Sequence, residues 1–84
     1  MRNMNEAERK QIEWLVVWVM TKATGEDYAR QILEHESGFG NTFMEDVIED
    51  VMETSAWDEE GYYNEDDVRL AIGRVFKRRL EIVD

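Results

Sequence analysis

The sequence contains no cysteine and no proline. Without cysteine there is no disulfide framework, no thiolate metal site and no thiol nucleophile, which fits a reducing compartment. Without proline the commonest helix breaker is missing, so helical patterns can run on unbroken. His35 is the single histidine. Its neighbours Glu34 and Glu36 point off to its sides, and Ser37 finds nothing that would complete a triad. A lone histidine near a helix C-terminus is read as a dipole-stabilised surface residue. No G-x-G-x-x-G, P-loop or H-E-x-x-H occurs, so no enzymatic activity, metal or cofactor is expected.

Long apolar runs are missing as well. The most apolar stretch, WLVVWVM from Trp14 to Met20, is seven residues long, far below the ~20 needed to span a bilayer. It follows Glu6, Glu8 and Glu13, where a secretory signal would carry basic residues. The expectation is a soluble, cytoplasmic protein with no membrane segment. At 84 residues, 43% of them hydrophobic, the chain makes one domain over 1–84 with a small core.

Cations are scarce where carboxylates are dense. The net charge of -10 divides as +1 over residues 1–24, -14 over 25–67 and +3 over 68–84. Between 31 and 68 there is no lysine or arginine. Such a segment repels phosphate backbones, so direct nucleic-acid binding is not expected. The same field attracts a basic protein surface.

What is present reads as a compact all-α domain of four helices joined by short loops. Asn5 with Glu8 opens the first helix, about 6–22. Thr24 with Asp27 opens the second, about 25–36, closed by the two glycines of SGFGN. Thr42 with Glu45 is a capping box opening the third, about 43–55. Asn64 with Asp67 opens the fourth, about 65–81, whose last turns carry Lys77, Arg78 and Arg79 where the helix dipole favours cations. Phe43, Met44, Val47, Ile48, Val51 and Met52 form the apolar stripe of the third helix. The fourth places Val68, Ala71, Ile72, Val75, Phe76, Leu80 and Val83 on one side, and the second offers Tyr28, Ala29, Ile32 and Leu33.

The first helix differs, being apolar all round from Trp14 to Met20. Trp14, Leu15, Val17 and Trp18 span most of its circumference and cannot all face one core. Either the other three helices enclose this one, or a second copy of the chain covers these four residues in a dimer.

The stretch DEEGYYNEDD, residues 58–67, raises the question of calcium. With Gly61 at the sixth position, Tyr62, Asn64 and Asp67 fit the downstream half of an EF-hand loop, and the segment resembles that half-motif. Ala56 then occupies the first position, where a ligand oxygen is required, and no second loop exists. A tight turn at Gly61 followed by an Asn64 N-cap explains the same residues, and no calcium site is expected. A hairpin pairing Trp57 with Tyr62 is the strand alternative, though an isolated hairpin is marginal in water.

Glu45, Glu49 and Glu53 recur every four residues of the third helix, a rise of about 6 Å per step. Asp46 and Asp50 repeat the spacing beside them. Asp58, Glu59, Glu60, Glu65 and Asp66 extend the acidic surface past the helix end. A row of this kind imitates a phosphate array and suits an arginine- or lysine-lined groove. The alternative is a solvated face serving only solubility.

The segment VIEDVMETSAWDEEGYYNEDDVRLAIGRVFKRRL resembles short, acidic, helical proteins carried by phages and prophages of Gram-positive bacteria. That resemblance implies an inhibitor, of the kind phages direct at host nucleic-acid enzymes, and identifies no target; the acidic face supplies the expectation that it docks on a basic surface of a host protein. It implies no particular functional residue.

Overall fold

The computed structural model describes residues 6–36, 40–54 and 63–82, with the side chains of 80–82 excepted. Four α-helices follow in order: α1 (Glu6–Thr24), α2 (Glu26–Glu34), α3 (Phe43–Thr54) and α4 (Glu65–Ile82). Among the described residues there is no strand, only a single β-bridge between Glu36 and Thr42. The fold is the all-α four-helix domain that periodicity and capping indicate.

The α3 start signal operates as read, and the α4 signal through Asn64 without Asp67. At α3 the Glu45 amide donates to Thr42 Oγ1 at 3.1 Å, and the Thr42 amide donates back to Glu45 Oε1 at 3.2 Å. The box satisfies two otherwise orphaned donors at once. At α4 the Asp66 amide donates to Asn64 Oδ1 at 2.7 Å, so Asn64 is the cap. The α1 start signal at Asn5 lies outside the described residues.

The corner between α1 and α2 differs from the sequence expectation. Thr24 is the last residue of α1 rather than a cap for α2, and its hydroxyl donates back to the Met20 carbonyl at 2.9 Å. Gly25 alone makes the turn, at φ 87 and ψ 159. That conformation is essentially reserved for glycine, and it allows two helices to meet across a single residue. α2 then stops at Glu34, two residues early, because His35 turns to an extended conformation. The His35 carbonyl instead accepts from the Phe43 amide at 2.9 Å, tying the end of α2 to the start of α3.

Both α1 and α3 pack against all three other helices, whereas α2 and α4 do not pack on each other. The core takes Ile12, Val16, Val19 and Met20 from α1, with Ala29 and Leu33 from α2. Phe43, Val47, Ile48 and Val51 of α3 meet Val68, Ala71, Ile72 and Val75 of α4. Helical spacing of three and four accounts for this selection, and among the described residues Tyr28 and Phe76 are the stripe residues left exposed; the Leu80 side chain and Val83 lie outside them.

Tyr63 anchors the entry to α4. It is buried, its amide donates to Gln11 Oε1 at 2.6 Å, and its hydroxyl donates to Glu8 Oε1 at 3.2 Å. Glu8, read from sequence as a capping acid, is buried at that hydroxyl. With Gly61 at the sixth position Tyr63 is the apolar eighth residue of the half EF-hand, and it is a core residue. The Trp57–Tyr62 hairpin and Ala56, Asp58, Glu60 and Gly61 of the loop frame lie outside the described residues.

Candidate functional site

Two surfaces were legible as candidates, and their geometry separates them. The acidic face of α3 splits into an inner and an outer row. Asp50 is only 4% exposed. Arg74 Nε donates to its Oδ1 at 2.9 Å and Arg78 Nη1 to its Oδ2 at 2.8 Å, both from α4. Thr54 completes the arrangement, accepting from Arg74 at 3.0 Å and donating to the Asp50 carbonyl at 2.8 Å. Burial alone would raise the Asp50 carboxyl, but hydrogen bonds and charge from Arg74 and Arg78 outweigh it. They hold the carboxyl below the ordinary aspartate range. The hydrogen bond to Asp50 correspondingly raises the Arg74 guanidinium.

Asp46 is engaged in the same way. Arg79 donates to its Oδ2 through Nη2 at 2.7 Å and through Nε at 3.1 Å. The same guanidinium reaches the His35 and Asn41 carbonyls, each at 3.1 Å, and lies 5.2 Å from the Phe43 ring centroid. One arginine thus fastens the α2–α3 connection to α4. Asp46 and Asp50 are therefore not members of a free docking face, because both Asp50 oxygens and Asp46 Oδ2 are committed to three arginines. They clamp α3 to α4.

The outer row survives. Glu49 and Glu53 are exposed and no described cation pairs with either. Glu45 is exposed but serves the capping box. Glu65 and Asp66 sit at the start of α4, where Arg69 approaches them at 3.2 and 3.8 Å. Asp58, Glu59 and Glu60 lie outside the described residues.

The α1 surface is the larger departure from an ordinary small domain. The other helices do not enclose α1: Trp14 is 63% exposed, Trp18 46% and Val17 45%. Leu15, by contrast, packs against the core. Trp14 and Trp18 stack with centroids 5.9 Å apart and planes 8° from parallel. The Trp18 indole N–H donates to Glu65 Oε1 at 2.9 Å, and Lys22 Nζ stands 5.2 Å from its ring centroid. Glu65 and Lys22 hold the Trp18 ring, Trp14 stacks on it, and both keep much of their surface in water.

Beside this pair runs a groove of about 640 Å³ between α1 and α2. Val17, Thr21, Leu33 and Met44 contribute to its lining, with Lys10, Glu13, Glu26 and Arg30 also bordering it. A second hollow of about 330 Å³ lies among Tyr28, Ile32, Phe43, Phe76 and Arg79. Among the described residues no group of three His, Cys, Asp or Glu side chains could hold a metal ion, and no helix is long and apolar enough to cross a membrane.

Sequence patterning found the outer acidic row and the α1 tryptophans. It missed the Asp50–Arg74–Arg78 and Asp46–Arg79 clamps, whose partners are 24 to 33 residues apart. The concentration of cations at the end of α4 was the available signal. Comparison with known proteins finds no matching family model, no matching curated protein and no matching solved structure.

Proposed function

We propose that this is a non-enzymatic binding protein that engages another protein through the exposed face of α1. The observation that carries the proposal is the stacked Trp14–Trp18 pair with Val17, standing in water on a helix whose opposite side forms the core. Large aromatic side chains exposed together are costly in a monomer and are favoured anchors at interfaces. Trp18 is already held by Glu65 and Lys22. Ordering it on binding therefore costs less than for a free rotor. The cysteine-free composition agrees with action in a reducing compartment such as the cytoplasm.

Glu49 and Glu53, together with Glu45, support a second reading: a phage-type inhibitor docking on a basic, nucleic-acid-binding groove of a host protein. The support is their exposure and the lack of a described cation beside Glu49 or Glu53. The row is half the width the sequence suggests, since Asp46 and Asp50 face α4.

One experiment separates the two. A tagged chain is expressed in its own host and the co-purifying protein compared between wild type, Trp14→Ala/Trp18→Ala and Glu49→Lys/Glu53→Lys. Loss only with the tryptophan variant supports the α1 surface. Loss only with the charge reversal supports the acidic row.

A further inference from the structure

We infer that the occupant of the α1 face is a second copy of this chain, an inference that rests on that face being the binding surface. Electrostatics selects the partner. The chain carries -10 overall, so two copies repel through most of their surfaces. Around the tryptophans the balance is different. Lys10, Lys22 and Arg30 stand with Glu13, Glu26, Glu34 and the Trp18-bound Glu65 about the stacked pair and its groove, so the charges there nearly cancel. Another acidic molecule can approach this part of the surface at less cost than the outer row of α3 with Glu49 and Glu53. A strongly basic partner would be drawn to Glu49 and Glu53 instead.

The composition of the face is also what a two-fold interface requires. An isologous contact brings a patch against itself, so the patch must be self-complementary. An apolar centre offers this, and so does a rim that mixes both signs in nearly equal number. Arg30 with Glu26 at 3.7 Å and Arg9 with Glu13 at 3.0 Å are exposed i,i+4 pairs. Such pairs contribute little within one chain and can exchange partners across a contact.

The area sets the strength. Trp14, Trp18 and Val17 leave on the order of 250 Å² open, from the usual size of aromatic side chains. A standard interface takes about 800 Å² from each partner. The partly exposed groove residues Thr21 and Met44 and the charged rim must supply the rest, and the dimer is accordingly of modest affinity, formed by about 0.5 mM chain.

The test is sedimentation equilibrium on the full chain against concentration, at about 0.05 and 0.5 M salt. The wild type should pass from 10.0 kDa towards twice that mass. Association should tighten with salt, because screening relieves the repulsion between two acidic chains. Trp14→Lys and, separately, Val17→Lys should each weaken association about tenfold or more while circular dichroism stays helical. Using two exposed positions keeps the test decisive if one variant misfolds. A wild type that remains at 10.0 kDa throughout overturns the second copy as occupant and leaves the α1 face available to a different protein. A dimer that ignores both substitutions, or that weakens as salt rises, also overturns the inference. Loss of host-partner capture with Trp14→Ala/Trp18→Ala, in a wild type that never dimerises, would uphold the proposed function alone.

Discussion

Arg74 on α4 reaches across to Asp50 on α3, its Nε 2.9 Å from a carboxylate that is almost fully buried. Arg78 takes the other oxygen of the same group at 2.8 Å. Two half-exposed guanidiniums on one buried carboxylate form a lopsided clamp. Replacing Asp50 with Ala leaves both arginines able to rehydrate, so the loss is that of charge-assisted hydrogen bonds rather than of stranded buried charges. Asp50→Ala should destabilise the fold by about 2 kcal/mol, read from urea midpoints. Glu49→Ala, one residue away and exposed, should change it by less than about 0.5 kcal/mol.

The clamp also sets a pH dependence. The folded Asp50 carboxyl lies below its ordinary value, so its contribution is fully present above the unfolded value near 3.9 and is lost as pH falls through the folded one. The stability gap between wild type and Asp50→Asn should therefore be constant from about pH 5 to 7 and shrink below about pH 4. Urea titrations at several pH values measure it. A gap that widens on acidification would mean the folded carboxyl is raised instead.

Two glycines should respond with opposite signs. A Cβ at either Gly25 or Gly73 would meet nothing within 4 Å, so backbone conformation alone decides. Gly25 sits at φ 87 and ψ 159, and Gly25→Ala should cost about 1–3 kcal/mol. Gly73 is exposed inside α4. Gly73→Ala should stabilise by roughly 0.5–1 kcal/mol. Thermal melts of the two variants check both.

The outer acidic row requires care, because Glu45 closes the α3 capping box. Glu45→Lys should cost about 1 kcal/mol in stability irrespective of any partner. Glu49→Lys/Glu53→Lys should leave the thermal melt nearly unchanged. If Glu45→Lys melts like wild type, the box is not holding the helix start.

How far these features were readable depended on the range of the interaction. The α3 box and the Asn64 cap lie within a few residues, and local chemistry settles them. The α3 stripe follows from period alone. Asp46 and Asp50 looked like solvent-facing neighbours of Glu45 and Glu49 because no cation follows within helical reach. Their partners approach from α4, a relation fixed by packing and not by spacing. Glu8 read as no more than a capping acid for a similar reason: its companion Tyr63 comes from 55 residues away. The α1 tryptophans were legible as surplus apolar surface, whereas only the fold decides that Leu15 turns inward and Trp14, Val17 and Trp18 stay out.

The most direct measurement concerns the indole N–H signals of Trp14 and Trp18, recorded by nuclear magnetic resonance with a soluble paramagnetic agent. Spectra are taken on the dilute chain, then with increasing chain concentration and with any captured partner. If α1 is the binding face, Trp14 is strongly broadened in the dilute chain and becomes protected when the binding face is covered, and Trp18 follows it. Trp14 remaining open to the agent in the bound state, while the amides of Glu49 and Glu53 become protected, would contradict the assignment and move the function to α3.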